Sequence, residues 1–494
     1  MAFLKDTWQN HRAAILVGTV VLVAGAALAG YLALKRPGDV SNEDATFVSG
    51  AQQEPVVGVA DWPVYGLNPE RRRYLAAAIK PPYKVAWTIN GRKLLEYSPV
   101  LAGGSIYTIN NNGEALSAKT RNGNIRWRRQ VASRNASSPA YDDGMLYLSN
   151  LEPGQVLALN AKNGVQRWKR RLPGRTESSP VVVKNLVIAG CECGTLYAFN
   201  KKTGKTVWRA DLPGEIKAAP AVSEGVAYVG DYSGTMSAVR TNDGSIKWQS
   251  GSQGGSFGRA GDFYSTAAVA FGRVYVASKD GRVYSYEKDS GDLAWSQTAG
   301  GELYAGIVAA DTPGTPPSIY VGSYAGERFY SFDARSGDVR WSVDAGGPVI
   351  GAASLIGEVV YFANLRTTHT KAVNAGNGET LWTFRDGAYN PVISDGKRLY
   401  LTGYKRIYAL QPVKKGQGHS GGTKKHGPQG KKKKSGQKPA VKRTPEQRAA
   451  KRVAVRKKRE RKRRLKIKRL KAQGKWRGKR KAAMSDGKPN KQQS

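Results

Sequence analysis

Short runs of alternating apolar and polar residues recur from residue 82 to residue 412, as in LYAFN at 196–200 and VLALN at 156–160. Alternation with period two marks strands whose two faces are buried differently. After most runs come a polar residue, a glycine and, four positions beyond the glycine, a tryptophan; LYAFNKKTGKTVW at 196–208 is one copy. Aligned on this skeleton, NGNIRW ends at Trp127, NGVQRW at Trp168, TGKTVW at Trp208, DGSIKW at Trp248, SGDLAW at Trp295, SGDVRW at Trp341 and NGETLW at Trp382. The tryptophans are 41, 40, 40, 47, 46 and 41 residues apart, a period in the range of propeller blades. Six residues before each glycine stands a small side chain: Ser117, Ala158, Ala198, Ala238, Ser285, Ser331 and Ala372. The polar residue and glycine predict a hairpin whose glycine takes positive φ, and the small residue leaves room for the tryptophan.

A second series counts the blades independently, through the strand preceding each hairpin: SIYTIN, MLYLSN, LVIAG, VAYVGD, RVYVAS, SIYVGS, VVYFAN and RLYLTG, eight in all. The last, around Tyr400, is followed by IYAL at 407–410 and then by the basic tail, so its blade lacks an outer strand. PPYKVAWTIN at 81–90 carries a strand pattern and Trp87 without a blade of its own. The pattern therefore predicts an all-β, eight-bladed β-propeller over 82–412, closed by the N-terminal strand so that no edge stays open.

Residues 13–34, AAILVGTVVLVAGAALAGYLAL, are 22 uncharged residues flanked by Arg12 and by Lys35 and Arg36. As a helix this length spans a bilayer core. Ala27-Leu28-Ala29 before Gly30 has the form of a cleavage site, but the apolar run continues past it and exceeds a usual signal-peptide core. The reading is a flank at 1–12, an uncleaved signal-anchor helix at 13–35, and the bulk of the chain on the extracytoplasmic side. Residues 36–60 read as a flexible tether. Residues 61–81, with Trp62, Tyr65 and Arg71-Arg72-Arg73, read as a lead-in packed on the propeller, or else as a solvated basic patch.

The formal net charge of +42 is concentrated at the C-terminus: from Lys414 onward there are 33 Lys/Arg against Glu446, Glu460 and Asp486. Residues 413–494 therefore read as a polybasic, largely disordered tail. Thr444 as N-cap and Pro445 at the first helical position predict a helix over 445–473 that forms on a polyanion. Its candidate polyanion-binding residues are Lys431, Lys432, Lys433, Lys434, Arg456, Lys457, Lys458, Arg459, Arg461, Lys462, Arg463 and Arg464. Outside the membrane the partner is a wall polymer, anionic lipid head groups or extracellular DNA; inside, RNA or DNA.

Residues 82–412 resemble the pyrroloquinoline-quinone-like (PQQ-like) propeller family, through LYAFNKKTGKTVW, VLALNAKNGVQRW and FYSFDARSGDVRW and strand starts such as Ser138-Pro139 and Ser179-Pro180. The Trp-Asp blade ends and upstream Gly-His of WD-type propellers are absent. The family includes quinoprotein alcohol dehydrogenases and a non-enzymatic propeller lipoprotein of the outer-membrane barrel assembly machinery. Its quinone enzymes place a tryptophan beneath the cofactor, a disulfide of adjacent cysteines above it, a calcium held by Glu, Asn and Asp, and an aspartate base. Here every tryptophan inside the ring is a repeat position, and the only cysteines, Cys191 and Cys193, are separated by Glu192. The resemblance thus implies kinship with the scaffold members, with no cofactor, no catalytic residues and no metal.

Cys191 and Cys193 occupy a turn, either as a disulfide or as a redox-sensitive thiol pair. His11, His369, His419 and His426 are too scattered for a ligand set or triad. The enlarged loop before Trp295 offers Arg259, Phe263 and Tyr264 as ligand or partner contacts. Glu96, Glu177 and Lys217 precede inner-strand starts and are expected to rim the central channel. The expected function is a membrane-tethered, non-catalytic binding or assembly scaffold at the cell surface. Its expected partners are a protein on the propeller face and an anionic polymer or lipid head groups on the tail. Two rivals are a PQQ-dependent dehydrogenase and an intracellular nucleic-acid-associated propeller.

Overall fold

The computed structural model describes residues 19, 22, 23, 25, 38–49, 59–254, 261–390 and 392–413. The expected signal-anchor segment lies almost entirely outside the described residues, and residues 414–494 of the basic tail, with the helix expected over 445–473, lie wholly outside them. No helix among the described residues is long and apolar enough to cross a membrane.

Eight antiparallel sheets form the blades of a propeller. Their innermost strands are Val100–Ala102, Ala140–Asp142, Val181–Val183, Ala221–Ser223, Ala268–Ala270, Val308–Thr312, Ser354–Ile356 and Val392–Ser394, and these number blades 1 to 8. The eighth sheet is completed by Tyr83–Asn90, which pairs antiparallel with Arg406–Pro412. Trp87 stands opposite Ala409 there, as Trp168 stands opposite Ala158 and Trp208 opposite Ala198. The N-terminal strand thus supplies the missing outer strand and closes the ring.

The repeat residues fasten each blade to the next. Within a sheet the small residue faces the tryptophan across the strand pair, and the register shifts just beyond it. The indole nitrogen then donates to a backbone carbonyl in the following blade: Trp127 to Ala161 at 2.9 Å, Trp168 to Lys201 at 2.9 Å, Trp208 to Thr241 at 2.8 Å and Trp248 to Lys288 at 2.9 Å. Trp87, Trp295 and Trp341 repeat this with Thr120, Ala334 and Ala375. The hairpin glycine of the following blade lies against the indole face. At Gly204, with φ of +68°, an added Cβ would come within 2.6 Å of Trp168, so the position needs glycine for both backbone and space. The eighth tryptophan, Trp382, meets the edge of Tyr83 on the closing strand instead, with ring centroids 5.3 Å apart.

Two segments differ from their sequence reading. Residues 60–79 are a plug in the central channel rather than a surface lead-in or a solvated patch. The plug touches every blade: Ala60 N donates to Asp395 O of blade 8, and Trp62 exchanges backbone bonds with Leu101 of blade 1. The carbonyls of Pro63, Pro69, Glu70, Arg72 and Arg73 then accept from Tyr141, Val222, Val269, Ala309 and Leu355 of blades 2, 4, 5, 6 and 7. Blade 3 is reached by Arg71, whose Nη2 donates to Ser179 O and Pro180 O at 3.2 Å. Arg71 and Arg73 are buried, and Tyr74–Leu75 adds a parallel strand beside Ser354–Ile356. Each inner strand has one edge without a sheet neighbour, so a backbone that passes from blade to blade round the channel satisfies groups that water would otherwise have to reach.

The second difference lies in the tether. Residues 38–48 strap the outer edge of blade 5, where Val40–Ser41 pairs antiparallel with Leu293–Thr298 as a fifth strand. Buried Arg273 holds the strap through the carbonyls of Thr46 at 2.8 Å and Ala45 at 2.9 Å.

Candidate functional site

At the end of the channel opposite the plug, the chain enters each inner strand through a short loop, and these loops surround a pocket. Four residues before the inner strands of blades 1, 3, 4, 5 and 6 stand Glu96, Glu177, Lys217, Tyr264 and Tyr304, all lining it. Tyr97, Tyr389 and Asn390 add to the wall, and Tyr65 of the plug is also part of the lining. The pocket holds about 570 Å³ of empty space including its open mouth.

Side chains from opposite blades meet across this mouth. Tyr97 of blade 1 and Tyr264 of the opposite blade 5 both line it. Tyr264 donates to Glu177 Oε2 at 3.0 Å, and Lys217 Nζ stands 3.8 Å from Glu177 Oε1. Lys217 also sits 4.8 Å from the centre of the Tyr232 ring. Tyr232, Tyr264, Tyr304 and Tyr324 follow one another edge to face around the rim, with successive centroids 6.3, 5.5 and 5.2 Å apart. Below, Tyr65 stacks on the Arg73 guanidinium at 4.0 Å and forms a cationic floor.

Burial holds both carboxylates above the usual range. Glu96 is raised further by the charge of Glu177, whereas Lys217 and the Tyr264 hydroxyl pull Glu177 part of the way back. An acid whose pKa is higher folded than unfolded opposes folding when ionised, and that opposition is released as pH falls through the folded value. Glu96→Gln should therefore raise the melting midpoint at pH 7, by about 1–2 °C for a domain of this size. The gain should vanish below the carboxylate range; a gain that persisted in acid would make its cause something other than charge.

Of the residues chosen from sequence, Glu96, Glu177, Lys217 and Tyr264 meet in one pocket. Phe263 does not join them: it is fully buried, packed edge-on to Tyr284 at 5.7 Å and beneath Gly230. Neighbours in extended backbone point opposite ways, so one of the pair had to enter the core. Arg259 lies outside the described residues. Cys191 and Cys193 are joined by a disulfide in a blade 3 turn and do not line the pocket. Tyr97, Tyr304 and Tyr389 carry no charge or motif that marks them in the sequence, although Tyr304 repeats the register of Glu177 and Lys217.

A family model described as outer membrane protein assembly factor BamB matches residues 76–195, 192–261, 256–364 and 303–417. The chain belongs to the PQQ-like repeat β-propeller family. Among solved structures it is similar to BamB from Moraxella catarrhalis, at 17% identity and a TM-score of 0.56 over 67% of this chain and all of that one. It is also similar to a europium-containing methanol dehydrogenase, at 14% identity and a TM-score of 0.59 over 71% of this chain and 98% of that one. A computationally designed protein, Ika8, matches at 12% identity and a TM-score of 0.56 over 67% of this chain and all of that one. No curated protein sequence matches the chain. At these identities the likeness is one of fold, and a designed protein shares it with enzymes and assembly factors alike, so PQQ-like architecture by itself assigns no activity.

The quinone and calcium that part of the PQQ-like family carries do not fit the residues present. Among the described residues no tryptophan lines the pocket, and the disulfide of this chain is elsewhere. Glu177 is already engaged by Tyr264 and Lys217. Among the described residues no group of three or more His, Cys, Asp or Glu is placed to hold a metal.

Proposed function

We propose that this chain is a membrane-anchored, non-catalytic propeller scaffold, with a propeller face for a protein partner and a basic tail for an anionic one. The observation that carries the non-catalytic part is the cluster of Tyr97, Tyr264 and Glu177 side chains above a plugged channel. The protein's own side chains occupy the middle of the channel, where a ligand pocket in a ring of blades would otherwise lie. The assembly-factor description of the matching family model fits this reading. Support for the anchor is the 22-residue uncharged run at 13–34, and support for the tail's partner is the net charge of residues 414–494.

The test is to incubate the purified full chain with pyrroloquinoline quinone and calcium, desalt it, and measure bound quinone and dye-linked alcohol oxidation. The expected result is no retained quinone and no dye reduction. Stoichiometric retention with turnover would establish the dehydrogenase reading in its place.

A further inference from the structure

The uncharged run ends at Leu34, and five residues later the chain is already fixed to the propeller. Asp39 Oδ1 accepts from Arg282 Nη1 and Thr298 N at 3.0 Å and from Thr298 Oγ1 at 2.8 Å, while Oδ2 accepts from Gln297 Nε2 at 2.8 Å. Asn42 N continues the pairing to Ala294 O at 2.8 Å. At the strap's other end Val48 N donates to Phe271 O, and Phe47 stacks on Phe271 with centroids 5.5 Å apart. Thr298 and Phe271 lie at opposite ends of blade 5. The residues after Thr298 lead into the mouth at Tyr304, whereas Phe271 lies in the turn below the inner strand, beside the plug. The strap therefore begins at the mouth face and descends the blade edge to the plug face.

Five peptide units reach at most about 18 Å. We propose that the mouth rim of blade 5 rests on the surface of the bilayer that holds residues 13–34, with the plug face turned away from it. The inference depends on the anchor reading above, and adds to it an orientation. An anchor on a loose tether of 25 residues would leave the ring free to tumble; the Asp39 clamp leaves only Lys35, Arg36, Pro37 and Gly38 between membrane and ring. The same mouth face carries Tyr304 and Tyr324, packed edge-on at 5.2 Å, and tyrosine is a residue type that suits the boundary between head groups and water. At the plug face Val413 N donates to Pro82 O at 3.0 Å, so the basic tail starts from the side away from the membrane. A partner that reaches the Glu96 and Glu177 pocket must then approach along the membrane surface.

The experiment places the full chain in phosphatidylcholine vesicles carrying a head-group-labelled acceptor lipid. A donor dye is attached at Glu302→Cys on the mouth side of blade 5, or at Ser290→Cys in the hairpin turn on its plug side, without reductant so that Cys191 and Cys193 stay joined. The outer strand between these ends, Leu293–Thr298, is six residues long, about 20 Å, so energy transfer from Glu302→Cys should exceed that from Ser290→Cys by about threefold or more. Inserting a 20-residue Gly/Ser segment between Arg36 and Pro37 should bring the two signals together. Flotation of the vesicles separates the two ideas. Protein that fails to float with the lipid overturns the anchor and this orientation with it. Protein that floats but shows equal or reversed transfer overturns the orientation alone.

Discussion

Deletion of residues 82–90 is expected to abolish cooperative folding of the ring, not merely to shift its melting point. The loss falls at the one place where the circle is closed by segments more than 300 residues apart, Tyr83–Asn90 against Arg406–Pro412. Without that strand the 406–412 edge is exposed, a template for pairing with other chains. The deletion also removes Trp87, whose indole donates to Thr120 O at 3.0 Å, lies against Gly123 and tilts onto Tyr400 at 5.7 Å. Tyr83 is lost with it, ending the bond to the Tyr361 hydroxyl at 2.6 Å and the contact that covers Trp382. Truncating a packed tryptophan alone costs about 3–5 kcal/mol, so Trp87→Ala should lower the midpoint while keeping a single transition. Removal of 414–494 serves as the control and should leave the melt unchanged. Thermal melts followed by circular dichroism, with size-exclusion chromatography, distinguish these cases. A sharp transition within a few degrees of the intact chain after loss of 82–90 would contradict the closure.

The blades could be read from sequence because each carries its own copy of one local solution: small residue, turn glycine and tryptophan within eleven positions, as from Ala198 through Gly204 to Trp208. Seven coincident copies leave little freedom, and Trp87 without a hairpin pointed to the closing strand. The rim was legible where charge made it visible. Glu96, Glu177 and Lys217 stand out in a repeat of apolar residues, whereas Tyr304 in the same register resembles any core tyrosine. The Phe263 and Tyr264 pair shows the limit: alternation says that they point apart, but an irregular loop gives no phase to say which enters the core.

The plug and the strap were hidden for a different reason. Their bonds run to distant residues, 39 positions away from Trp62 to Leu101, 109 from Arg71 to Pro180 and 282 from Arg73 to Leu355, and no local pattern encodes such partners. Three consecutive arginines suit a solvated patch, and a polar stretch containing Asp39 and Asn42 suits a linker. Arg71 and Arg73 also adopt positive φ, at 61° and 59°. Propensity argues against that conformation, and here the surrounding bonds impose it.

Arg71→Leu is expected to be the most damaging single substitution in the plug. Arg71 is fully buried, and its charge is met by backbone carbonyls and by the Tyr65 ring 5.8 Å away. Nε donates to Pro220 O at 3.0 Å, Nη2 to Ser179 O and Pro180 O, and Nη1 to Tyr65 O. Burial, and then the charge of Arg73, pulls its pKa below the usual arginine value, a sign that the site is costly to charge and depends on these acceptors. A leucine leaves the acceptors unpaired, at about 1–3 kcal/mol each, offset in part by relief of the buried charge. The net loss should be about 3–5 kcal/mol, measured by denaturant unfolding, with faster amide exchange over residues 63–75. Arg71→Lys should recover little of it, because an ammonium lacks the planar fork that reaches blades 3 and 4 together. Arg73→Leu supplies the contrast. Arg73 Nε and Nη2 have no hydrogen-bond partner, and its chief contact is the Tyr65 ring, so its loss should cost under about 2 kcal/mol. If Arg73→Leu proved the more damaging of the two, Arg71 would not be the hub that ties the plug to the ring.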